Sequence, residues 1–124
     1  MKKVLAIFLC LLILCGTGFV SFDCLLWRLF GFDYCRTPEL LHVSALEVEN
    51  NSCYICVEDM VIGSFSTTKY NGLIFKYSDG ILKIGVHKGI IGAKEKISKE
   101  IVVDSQITEV IICGNGNEQT LFKQ

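Results

Sequence analysis

Leu73-Ile74-Phe75-Lys76-Tyr77-Ser78-Asp79-Gly80-Ile81-Leu82-Lys83-Ile84-Gly85-Val86-His87 decides the fold class. Apolar and polar residues alternate on both sides of a turn, which is the period of a half-buried strand. Leu73, Phe75 and Tyr77 share one face of the first arm, and Leu82, Ile84 and Val86 share one face of the second. Lys76 and Lys83 fall on the opposite face. Ser78-Asp79-Gly80 reads as a three-residue connection, with Gly80 able to take the left-handed position of a bulged loop. The stretch is therefore a β-hairpin with one apolar face.

The same period extends in both directions. Upstream, His42 to Glu49 alternates Leu46 and Val48 against Glu47 and Glu49, Asn50-Asn51-Ser52 is a turn cluster, and Cys53 to Glu58 returns as a strand. Ile62 to Thr68 reads as a further strand broken by Gly63, and Asn71-Gly72 as a turn. Downstream, Gly89-Ile90-Ile91-Gly92 is a glycine-bounded bend, and Lys96 to Val103 and Ile107 to Cys113 are strands. The run Val110-Ile111-Ile112 suits a strand covered on both faces. Gly114 to Asn117 turns the chain into a last strand at Thr120-Leu121-Phe122. Six to seven short strands with turns every 8–12 residues predict a mainly β domain, a small antiparallel sandwich or partly open barrel.

The N-terminus is of another kind. Lys2-Lys3 precede twelve consecutive apolar residues, Val4 to Cys15, and then Gly16-Thr17-Gly18. Basic start, apolar stretch and small-residue exit make a secretory signal, with Phe19 as the new N-terminus if it is cleaved. Val4 to Phe22 is also nineteen residues without a charge, close to the ~20 a helix needs to cross the hydrocarbon core. A retained signal anchor is therefore equally available. Lipidation at Cys15 is the third option: Leu12 lies three positions before it, but bulky Leu14 stands where a small residue is expected. The cleaved and the anchored readings both place the lysines inside and the rest outside. The expected organisation is a signal peptide or anchor over 1–22, an aromatic-rich membrane-proximal segment over 23–40 and a β domain over 41–124.

The membrane-proximal segment carries Trp27, Phe30, Phe32 and Tyr34, with only Asp23, Arg28 and Asp33 charged between Phe19 and Tyr34. On a helix Asp23 and Arg28 lie about 140° apart, leaving a narrow polar stripe. A segment this apolar needs a partner. It either lies in the membrane interface, with Trp27 and Tyr34 at headgroup level, or packs on the β domain. Aromatic residues directly after a spanning helix favour the retained, membrane-attached form. Pro38, the sole proline, separates this segment from the strands.

Charge and cysteines narrow the function. Removing Lys2 and Lys3 from the twelve basic residues leaves ten against thirteen acidic ones, a net charge of −3 outside the signal. That argues against nucleic acid, which rewards clustered positive charge. Of seven cysteines two lie in the apolar run, leaving Cys24, Cys35, Cys53, Cys56 and Cys113 as candidates for disulfides or free thiols. Cys53-Tyr54-Ile55-Cys56 is the one spacing that invites chemistry. In a turn it would chelate a metal or form a redox disulfide. In a strand, positions three apart point to opposite faces and can do neither. No second Cys-x-x-Cys completes a zinc site. Cys24 and Cys35 could pair only if Gly31 breaks the helix between them.

His42 and His87 each sit in a strand, where exposure is the default. Ser66, His87 and Asp104 could be assembled into a hydrolase triad only by free choice, since none lies in a nucleophile turn. Gly85-Val86-His87-Lys88-Gly89 lacks the Gly-Lys-Ser/Thr ending of a phosphate loop. Glu47/Glu49 and Glu58/Asp59 read as ordinary edge and turn charges. No catalytic residue, cofactor or metal is expected.

Tyr70 to Tyr77, Gly80 to Val86, Ile107-x-x-Val110-Ile111-Ile112-Cys113-Gly114 and Leu121-Phe122-Lys123 together resemble small uncharacterised exported proteins and lipoproteins of Gram-positive, Firmicutes-type bacteria. The resemblance covers about half of the exported part and departs in the cysteine count and the lack of a clean lipobox. It implies an envelope-associated β domain and brings no functional residues. The expectation is a membrane-attached or secreted extracytoplasmic binding or envelope-structural module, with the membrane and an unknown envelope protein or ligand as partners. The alternative is a thiol-disulfide protein using Cys53 and Cys56.

Overall fold

The computed structural model describes residues 1–59 and 69–124, and the side chain of Cys24 lies outside what is described. The expected strand over Ile62 to Thr68 falls in the gap. Helix α1, Lys2–Cys24, is apolar along most of its length and exposed from Lys2 to Val20. It passes through Gly16 and Gly18 without a break. A 3-10 stretch follows over Leu26–Tyr34, kinked at Gly31 (φ 70°, ψ −149°), and a 3-10 turn over Pro38–Leu40 leads into the strands. Gly31 bends here because that φ is strained for any residue with a Cβ.

The strands are β1 Leu41–Glu49, β2 Ser52–Asp59, β3 Tyr70–Ser78, β4 Ile81–Lys88, β5 Lys96–Val102, β6 Glu109–Gly114 and β7 Asn117–Lys123. Among the described residues they form a three-stranded sheet, β1-β2-β5, and a four-stranded sheet, β3-β4-β6-β7, with no closed barrel. The fold class is thus mainly β, two sheets preceded by an apolar helix, as the alternation requires. Among these strands all pairs are antiparallel but one. β4 and β6 run parallel, Ile81 beside Glu109 through Ile84 beside Ile112, because the chain leaves the larger sheet to form β5 in the smaller one and then re-enters.

Alternation supplies the core. Cys53, Ile55 and Val57 of β2 and Ile101 of β5 meet Leu82, Ile84 and Val86 of β4 and Val110 and Ile112 of β6 in one cluster. All nine are 0 or 1 % exposed, and each large aliphatic removed from water contributes roughly 1.5–3 kcal/mol. β6 is internal to its sheet; Val110 and Ile112 are buried on its inner face, and on its outer face Cys113 is buried and Ile111 half-buried.

Two turn readings need correction. The β3–β4 connection has two residues, Asp79 (φ 51°) and Gly80 (φ 82°), rather than three. Two consecutive positive φ values match the twist of a tight hairpin, and Asn115-Gly116 (φ 49° and 79°) repeats the device between β6 and β7. Asn71-Gly72 is not a turn. Both residues lie inside β3 at a register shift between Tyr70 and Gly72. What they contact explains why.

Candidate functional site

Asp23 is the only charge between Lys3 and Arg28. A carboxylate in so apolar a stretch must find donors or remain in water. It lies in the last turn of α1, buried, and its oxygens gather three donors. Ile90 N–H donates to Oδ1 at 3.1 Å, Ile91 N–H to Oδ2 at 2.8 Å and Asn71 Nδ2 to Oδ2 at 3.0 Å. Asn71 Nδ2 also donates to the Asp23 carbonyl at 2.8 Å. The glycine-bounded loop after β4, the start of β3 and the end of the apolar helix therefore meet at one carboxylate.

Because a carboxylate only accepts, Asn71 must turn its amide nitrogen toward Asp23 and its oxygen toward His87. The Asn71 Oδ1 to His87 Nδ1 distance is 2.7 Å. Nδ1 then carries the proton and donates, which fixes the neutral tautomer. The imidazole lies flat on Trp27, centroids 4.1 Å apart and planes 6° apart. Arg28 covers the indole at 4.8 Å and donates through Nη1 to the Leu73 carbonyl at 3.4 Å. Trp27 is 1 % exposed. Gly72 is what lets it in: a Cβ there would lie 2.6 Å from Trp27 Cζ2. A Cβ on Gly89 would run into the Asn71 amide. Gly72 and Gly89 are thus close approaches.

His87 corrects the expectation of an exposed strand position. It lies on the outer face of the four-stranded sheet, where alternation places it, but Trp27 covers that face and leaves it 6 % exposed. Burial pushes its pKa below the ordinary value of 6.5. Arg28 adds to this, and Asp23 opposes it. The unfolded chain therefore binds a proton at a higher pH than the folded one. Stability contributed by neutral His87 is complete above about pH 6.5 and is lost as pH falls toward its depressed pKa. The expected slope is at most about 1.4 kcal/mol per pH unit, from a single proton. Denaturant midpoints between pH 7 and pH 5 measure it. His87→Phe, which keeps a stacked ring without a titrating nitrogen, is expected to flatten the profile.

A second polar group secures the strap that follows. Tyr70 O–H donates to Asp59 Oδ1 at 2.8 Å, and Arg36 Nη2 stands 3.5 Å from the same oxygen. Burial, then the Asp59 carboxylate, raises the Tyr70 phenol well above its usual range. Arg36 N–H donates to the Val86 carbonyl at 2.8 Å and Asn115 N–H to the Phe32 carbonyl at 3.1 Å. A Cβ on Gly114 would collide with the Arg36 carbonyl. Residues 32–36 thus lie directly against the ends of β4 and β6.

The cysteines are spread over the molecule. Cys15 is exposed on α1, Cys24 closes that helix, and Cys56 is half-buried on β2. Cys53 faces the core with Ile55 and Val57, so Cys53 and Cys56 project from opposite faces of β2. Two thiols so placed can neither share a metal nor close a ring while the strand is intact. Cys35 is buried with its sulfur over Gly85, where a Cβ would stand 2.6 Å away, and Cys113 is buried on the neighbouring strand. Burial raises the Cys35 thiol to about 12, Cys113 adding to the rise. Burial likewise raises Cys53 and Cys113 to about 11. Thiols held protonated are poor nucleophiles. Iodoacetamide at pH 8 is therefore expected to label Cys56 of the folded chain well before Cys35, Cys53 or Cys113. Peptide mass spectrometry reads this directly, and equal labelling of all four would contradict the placement.

Other expected positions are quickly located. His42 is exposed and 3.9 Å from Glu58, which Lys96 also approaches at 3.3 Å. Asp104 is exposed, and Ser66 lies outside the described residues. Among the described residues no hydroxyl or thiol is hydrogen-bonded to His87, and no group of three His, Cys, Asp or Glu side chains is placed to hold a metal. The sequence offered one signal for the latch that was not used, the lone Asp23. Known protein families, curated proteins and solved structures contain no match to this chain.

Proposed function

We propose that the chain is a membrane-anchored extracytoplasmic protein whose β domain is a binding or envelope-structural module without catalysis, held in fixed posture at the membrane by the Asp23 latch. One observation carries the reading. The apolar helix is exposed along its length from Lys2 to Val20, yet the residues at and just after its end, Asp23 and Trp27, are buried in the domain. A helix of 22 residues is about 33 Å long, enough for a hydrocarbon core of about 30 Å. Lys2 and Lys3 ahead of it favour a cytoplasmic N-terminus. The joint lies wholly beyond Phe19, so it sets the posture of the helix against the domain where the helix is retained. Here the joint uses five side chains, Asp23, Trp27, Arg28, Asn71 and His87, and two glycine cut-outs.

Cell fractionation with intact-mass determination tests the anchor. The reading expects the chain in the membrane fraction, beginning at Met1, with the β domain digested by protease added to intact spheroplasts. A soluble chain beginning at Phe19, an acylated Cys15 or a protected domain would each replace it.

A further inference from the structure

We propose that the β domain is seated in the outer face of the bilayer, with the Ile90-Ile91 loop and the exposed side chains of Leu25, Leu29 and Phe30 dipping into the boundary between headgroups and acyl chains. The inference rests on the anchored reading and adds the surface that touches lipid. Ile90 is 71 % exposed, Leu25 66 % and Leu29 80 %. Scattered exposed apolar residues need no explanation, but these gather where the spanning helix ends. The loop cannot leave that level on its own. Both of its isoleucine N–H groups are bonded to the Asp23 carboxylate, within the last turn of α1.

Depth follows from length. With the lysines at the inner boundary, about 33 Å of helix brings Asp23 to the outer one. Leu25, Leu29 and Phe30 follow within two turns, and Ile90 is tied beside them. Apolar side chains at that depth are buried roughly 5–10 Å into the interface. The latch itself suits this depth, since Asp23 and His87 are shielded by Asn71 and Trp27 and face neither lipid nor water alone. Gly92 (φ 66°) supplies the left-handed turn of the loop, and Gly89 lets it close on the Asn71 amide.

The test uses the full chain reconstituted in phosphatidylcholine vesicles whose acyl chains are brominated close to the headgroup. Ile90→Trp reports the loop and Val102→Trp, equally exposed on β5, reports a surface away from the anchor. The parent chain supplies the Trp27 background. Flotation after a carbonate wash first establishes insertion. The proposal expects the added fluorescence of Ile90→Trp to be quenched roughly two-fold or more, and that of Val102→Trp to be unaffected, as interfacial depth requires. Floating chains in which both variants are quenched alike overturn the seating while leaving the anchor intact. Protection of Ile90→Trp that grows with protein-to-lipid ratio overturns it in favour of a second copy covering the loop. Failure to float removes the anchored reading and the seating with it.

Discussion

Truncation of Trp27 to alanine is expected to lower the unfolding free energy of the domain by about 3–5 kcal/mol, the range for emptying a buried tryptophan site. Trp27 is 1 % exposed and lies on His87 over Gly72. Its loss opens a cavity, uncovers the imidazole and removes the platform under Arg28. For a domain with a total stability of about 5–15 kcal/mol this leaves the latch open much of the time. Trp27→Phe is expected to cost much less. Among the described residues the indole Nε1–H has no hydrogen-bond partner, so phenylalanine discards a buried unpaired donor together with the lost area. Urea titration of the full chain in detergent, followed by tyrosine absorbance, separates the two variants. Equal losses would mean that the ring is not the support described.

Asp23→Ala is the second large effect. It strands the Ile90 and Ile91 N–H groups, part-buried donors for which about 1–3 kcal/mol each, the cost of a fully buried unpaired donor, is an upper bound. Asn71 Nδ2 keeps the Asp23 carbonyl and is not orphaned. The loop can also swing toward water, so the sum is reduced to about 2–4 kcal/mol. Asp23→Asn tests the sign of the charge. It is nearly isosteric, but it sets an NH2 group among three donors where the carboxylate had two accepting oxygens. Its expected loss is close to that of alanine, whereas a mere space-filling role would make it silent. The same titration measures both.

The strands were legible because one face of each is buried. The alternation of Leu82, Ile84 and Val86, and the Asp-Gly and Asn-Gly pairs, specify hairpins from local chemistry alone. What failed depended on residues far apart in the chain. Asn71-Gly72 has turn chemistry by composition. It sits in a strand because Asn71 is bonded to Asp23, 48 residues away, and Gly72 receives Trp27. His87 has the outward phase of β4, and phase says which face a residue occupies without saying what covers that face. Trp27 had two readings, headgroup level or domain packing. The fold takes the second for Trp27 and Asp23 while leaving Leu25, Leu29 and Phe30 uncovered. The parallel pairing of β4 with β6 had no local mark, since it follows from β5 leaving the sheet between them.

The apolar helix and the β domain meet at Asp23, where three donors from the domain bind a carboxylate of the helix. Amide hydrogen exchange of the full chain in nanodiscs tests this most directly, at the Ile90 and Ile91 amides. Ile90 lies in an exposed loop and among the described residues has no backbone acceptor for its N–H, so the part of its protection that Asp23→Ala removes belongs to the carboxylate. The predicted result is that both amides exchange as slowly as those within β4, and that Asp23→Ala abolishes this protection while the β4 amides keep theirs. Exchange at free-loop rates in the unaltered chain would contradict the claim.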